Sequence, residues 1–106
     1  MADADTAAER RRLVSELFPH GVPRLWCPSL THFAAPGELD EVRIRAHLGH
    51  IAPHVGGLLV PGSTGEGWQM SDAEVLAVLE IVLRAAAEHG MRVLVGVLKT
   101  DLDAML

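Results

Sequence analysis

The apolar run Gly57-Leu58-Leu59-Val60-Pro61 passes directly into Gly62-Ser63-Thr64-Gly65-Glu66, and a helix start follows at Ser71. A run this apolar and this short reads as a strand buried on both faces. The residues after it are glycines and hydroxyls, which suit a tight turn and not a continued strand. A strand that turns into a helix leaves backbone N–H groups and side-chain O–H groups at its carboxyl end. That end is where α/β folds take anionic or carbonyl ligands.

The same alternation extends to both sides. Thr6 and Glu9 have capping-box spacing, and a helix is expected over 7–17. Residues 24–27 read as a first strand, stopped by Pro28, and 29–38 as a loop holding Pro36 and Gly37. Ile44, Leu48, Ile51 and Val55 repeat at helical spacing, placing a helix over 39–54 with Pro53 disturbing its last turn. The second strand covers 58–61. Ser71 and Glu74 make a second capping box for a helix over 72–89, with Val75, Leu79, Val82 and Ala86 on its inner face and Glu80–Arg84 paired outside. Gly90 suits the position after its end, residues 92–98 read as a third strand, and 101–106 open one more helix. Strands without a polar face, joined by amphipathic helices, imply a parallel sheet covered by helices.

Composition narrows the function classes. At 106 residues the chain suffices for one small domain, and 49% hydrophobic content argues against disorder. A net charge of −5 offers no general attraction to nucleic acid or to anionic membrane. Arg10-Arg11-Arg12 reads as part of a charged helix. No apolar run approaches the ~18 residues of a membrane span, and the N-terminus lacks the apolar core of a signal peptide. Cys27, the single cysteine, excludes an intramolecular disulfide, fits a cytoplasmic setting and reads as a small core residue.

The ordered motifs resemble those of the dihydrodipicolinate synthase and N-acetylneuraminate lyase family. Pro61-Gly62-Ser63-Thr64-Gly65-Glu66 followed by Met70-Ser71-Asp72-Ala73-Glu74 is similar to that family's Gly-Thr/Ser-Thr-Gly-Glu turn and its Leu-Ser/Thr-x-x-Glu helix start. Residues 28–33, 37–40 and 93–97 resemble, in order, its first-strand end, its first helix entry and its third strand. The resemblance implies the N-terminal three β/α units of a (β/α)8 TIM barrel over 21–106, preceded by a helical extension over 1–20. It implies class I aldolase chemistry, in which a sixth-strand lysine forms a Schiff base with pyruvate or a related 2-oxo acid, a fifth-strand tyrosine handles protons, and no cofactor takes part. Carried over by position, Thr64 holds the substrate carboxylate, Ser63 belongs to a hydroxyl relay, and Gly62 and Gly65 line the substrate. Ser63 stands where most synthases have threonine, as in lyase-like members.

A barrel of this kind takes about 250 residues. The lysine and tyrosine fall outside the present 106, which contain no tyrosine. The chain therefore reads as the N-terminal piece of a longer enzyme, inactive by itself. A second reading is an inactive segment stabilised by a homo-oligomer or a partner chain, since three strands leave open edges and apolar faces.

Other residues carry weaker signals. Lys99, the sole lysine, lies past the third strand and reads as a solvated rim charge. His47, His50 and His54 share one helical stripe; three-and-four spacing permits a shared ion, but a polar helix flank is the simpler reading. His32 reads as a surface residue of the loop after the first strand. Gly62, Gly65 and Gly67 are in the wrong order for a dinucleotide loop, and no Lys-Ser/Thr follows for a P-loop. Glu66 is expected to fix its loop by accepting backbone N–H bonds, and Trp26 and Trp68 to be buried.

Overall fold

The computed structural model describes residues 4–106. Helix α1 (Ala4–Leu17) precedes a repeating unit: β1 (Trp26–Pro28), α2 (Glu41–Ile51), β2 (Gly57–Val60), a 3-10 turn (Gly67–Gln69), α3 (Asp72–His89), β3 (Arg92–Val95) and a short α4 (Leu102–Met105). The three strands form one parallel sheet in chain order, β1-β2-β3. Their register aligns Trp26, Gly57 and Arg92 in one row, and Pro28, Leu59 and Leu94 two residues further on.

Local chemistry sets the helix ends. Asp40 caps α2 by accepting from the Arg43 N–H at 3.1 Å. At α3 the Glu74 N–H donates to Ser71 Oγ at 3.1 Å, and the Ser71 N–H donates to Glu74 Oε1 at 3.0 Å. Those bonds hold the Glu74 carboxyl below its ordinary value. Gly90 closes α3 at φ 68, a left-handed backbone that costs glycine little, and the next N–H, Met91, returns to the Ala86 carbonyl.

The helices cover one face of the sheet. Leu58 and Val60 of β2 meet Ile44 and Leu48 of α2 and Val78, Val82, Ala85 and Ala86 of α3, all buried. Because side chains alternate along a strand, Leu59 and Leu94 belong to the other face. Leu94 is 47% exposed there.

Several boundaries differ from expectation, each for a local reason. Helix α1 includes Ala4 and Asp5, so Thr6 lies inside it and is not its cap. Glu9 instead binds Arg12 at 2.6 Å. Pro28 does not stop β1 but is its last paired residue; an edge strand tolerates the missing N–H. Helix α2 ends at Ile51, ahead of Pro53, which has no N–H to continue it. Strand β3 ends at Val95 and not at 98: its neighbour β2 stops before Pro61, and the Gly96 N–H makes a last bond to the Val60 carbonyl at 3.2 Å. The inner face of α3 includes Val78 and Ala85, which the simple stripe omitted.

Helix α1 buries no side chain. The segment just after it touches the amino end of the sheet. Phe18 packs edge-on to Trp26, with ring centres 6.3 Å apart, and the Arg92 guanidinium lies 5.1 Å from the Phe18 ring centre. Arg92 also donates to the Leu17 carbonyl. Among the described residues no helix is long and apolar enough to cross a membrane.

Candidate functional site

The carboxyl ends of the strands gather the residues singled out from the sequence. After β2 the chain passes through Pro61, which follows a cis peptide, and enters a compact turn. The Glu66 N–H donates to the Ser63 carbonyl at 3.0 Å, the Gly67 N–H to the Gly62 carbonyl at 3.0 Å, and the Gln69 N–H to the Glu66 carbonyl at 3.0 Å. Those bonds hold the turn closed while the N–H groups of Ser63, Thr64 and Gly65 donate to no protein acceptor among the described residues. Ser63 and Thr64 are exposed, whereas Gly62 and Gly65 are buried. Consecutive amides without internal partners, beside two hydroxyls, are a set of donors of the kind that suits an anion.

Glu66 shapes this turn differently from the expectation. Its backbone adopts φ 64, unusual for a residue with a side chain, and its carboxylate makes no capping hydrogen bond. The exposed carboxylate is therefore not the acceptor that organises the loop; the carbonyls of Gly62, Ser63 and Glu66 do that.

Gly65 brings the turn against the end of β1. A methyl group there would lie 2.7 Å from the Ser29 carbonyl oxygen and 2.9 Å from Thr31 Oγ1. Only a hydrogen fits. The contact places the Thr31 hydroxyl beside the Ser63–Thr64 turn, a juxtaposition that strand pairing creates.

Trp68 is not buried: it is 58% exposed, and its Nε1–H donates to Ser63 Oγ at 3.0 Å. Trp26 is half-buried and donates to the Pro23 carbonyl at 2.9 Å. Cys27 is half-buried against the core edge.

The loop after β1 is pinned, not free. Phe33 and Leu39 form an isolated antiparallel bridge, and the Asp40 N–H donates to the His32 carbonyl at 2.9 Å. His32 consequently turns inward. Its Nδ1 is buried without a hydrogen-bond partner, and its ring centre lies 5.2 Å from that of His47. His47 is more than a polar flank, since its Nε2 accepts from the Leu30 N–H at 3.4 Å. Burial holds the His47 imidazole below its ordinary value, and the neighbouring His32 and His50 act in the same direction. Among the described residues no group of three or more histidine, cysteine, aspartate or glutamate side chains is placed to hold a metal ion.

Lys99 is not a solvated rim charge. Its Nζ lies 2.6 Å from Asp72 Oδ1 in the first turn of α3, and the side chain is 27% exposed. The pair borders a cavity of about 300 Å³ lined mainly by Val75, Leu76, Val95, Val97 and Met105. That cavity is apolar and lies between α3 and the end of the chain. Ser63 and Thr64 are not part of its lining, although Pro61 and Gly67 on either side of them are.

No family model matches the chain, and no solved structure matches it. Among curated proteins it is similar to an uncharacterised DapA-like lyase of Rhizobium meliloti, with 39% identity over 59 residues. The matched stretch is 55% of this chain and 20% of that protein, so the chain spans a small part of the relative's length. At this level the likeness is to a portion of a DapA-like lyase.

Proposed function

We propose that this chain is a segment of a dihydrodipicolinate synthase-like lyase, and that its sheet is the first three β/α units of a (β/α)8 barrel. The turn after β2 receives pyruvate or a related 2-oxo acid. The observation that carries this reading is the set of unpartnered amides at Ser63, Thr64 and Gly65 beside two exposed hydroxyls. A carboxylate takes several short donors, and amides and hydroxyls provide them without a fixed positive charge nearby. Thr64 and the amides hold the carboxylate, and Ser63 serves the reacting oxygen. The similarity to a DapA-like lyase supports the same assignment.

In this reading a lysine amine condenses with the 2-oxo carbon, forming a C=N bond and releasing water. The electron-withdrawing iminium then allows carbon–carbon bond making or breaking. Lys99 is engaged by Asp72, so the proposal assigns that amine to polypeptide beyond these 106 residues.

The test is a pyruvate titration of the 15N-labelled chain, read at individual amides. Shifts concentrated at Ser63, Thr64 and Gly65 are expected. Perturbation elsewhere, or none, would remove the keto-acid reading.

A second reading has its own observation. Leu94 on the uncovered face and Val97 beyond β3 are 47% and 54% exposed. The proposal is that a partner or a second copy covers this surface. Sedimentation velocity distinguishes the cases: association is expected, and a sharp monomer boundary at high concentration contradicts it.

A further inference from the structure

We infer that Trp68 is a positioning residue that holds the Ser63 oxygen and leaves its O–H to donate toward the ligand; this rests on the keto-acid reading above. The indole N–H can only donate. Its bond to Ser63 Oγ, 3.0 Å long, therefore occupies one lone pair of that oxygen. The hydroxyl keeps a single proton, which it cannot give to Trp68. With that side of the oxygen taken, the proton is directed away from the indole, into the open turn where Thr64 and the unpartnered amides lie. The indole N–H donates to the serine oxygen, and the serine O–H remains for an oxygen of the ligand.

This has a chemical consequence. Trp68 holds the serine oxygen with a group that does not release its proton in ordinary acid–base chemistry, so the Ser63 O–H stays available to stabilise negative charge on a carbonyl or carboxylate oxygen of the ligand. The same indole is 58% exposed and five residues away in sequence, so its role is to orient the hydroxyl and not to fill the core.

The experiment uses the 15N-labelled chain, its Ser63→Ala and Trp68→Phe variants and the double variant, with pyruvate as the probe. Both side chains are exposed, so the fold is retained. Trp68→Phe identifies the Trp68 indole resonance by removing it. In Ser63→Ala that resonance is expected to move upfield while the Trp26 indole, bound to the Pro23 carbonyl, stays in place. Each single variant is expected to weaken pyruvate binding by about 3- to 10-fold, the effect of one hydrogen bond. The double variant is expected to lose no more than the worse single one, because the two groups act as one donor. An unmoved Trp68 indole in Ser63→Ala overturns the inference, as does wild-type affinity in Trp68→Phe or strict additivity. A wild-type chain that does not respond to pyruvate removes the keto-acid reading and this deduction together, whereas a responsive wild type with an equally responsive Trp68→Phe removes this deduction alone.

Discussion

The two faces of the sheet are built from the same kinds of residue and live in opposite surroundings. Leu58 is fully buried beneath α2 and α3, while Leu94, one strand over and on the other face, is 47% exposed. Neither residue type nor strand propensity separates them. Two things differ: β2 is the central strand and β3 an edge, and the α2 and α3 stripes provide a matching apolar surface on one side only. Apolar content in a strand thus shows that burial is intended and does not show what covers it.

Substitution sharpens that contrast most at its extremes. Leu58→Ala should lower unfolding free energy by about 2–5 kcal/mol, since it leaves a cavity in a closed core. Leu94→Ala in the monomer should stay within about 0.5 kcal/mol. Comparable losses at both positions in urea melts would mean that the second face is also covered in solution.

The next effect is at the rim, where the covered layer meets the turn. A methyl group at Gly96 would overlap the Pro61 carbonyl oxygen, so Gly96→Ala should cost about 1–3 kcal/mol by forcing β3 away from β2. Equilibrium denaturation measures it, and an unchanged midpoint would show that the two strands separate freely there.

Ser71→Ala removes one half of the α3 capping box and should cost about 1 kcal/mol. The loss should appear in the same melts, because α3 provides much of the covering layer. A silent substitution would mean that α3 is held by packing alone.

The smallest effect is a pH dependence carried by His47. Its folded value lies below the ordinary 6.5, so the unfolded chain binds more protons between the two values. Stability contributed by the neutral imidazole is complete above about pH 6.5 and falls on acidification toward the folded value. His47→Gln should flatten that slope. An unaltered slope would assign the effect to another group.

Much of this architecture is legible in the sequence because it depends on neighbours. The Ser71–Glu74 box, the Gly90 stop and the Ile44–Leu48 stripe involve residues within four positions of one another, and each takes its expected form. The site is less legible. Ser63 and Thr64 can be picked out by residue type, but the approach of Gly65 to Ser29 and Thr31 joins segments far apart in the chain. So does the contact of His32 with His47. Trp68 was reachable in principle: an indole five residues past a serine, across a glycine-rich turn, is within hydrogen-bond range of it. The expectation that tryptophan is buried hid that possibility.

Sequence alone determined the order of strands and helices, the two ends of α3 and the chemical character of the turn after β2, because each follows from propensities and hydrogen bonds a few residues long. Tertiary structure decided which sheet face is covered, that Lys99 is held by Asp72 and that Gly65 lies against Ser29 and Thr31. These depend on where the backbone brings side chains together in space, and pairing of β1, β2 and β3 sets the distances that no local pattern encodes.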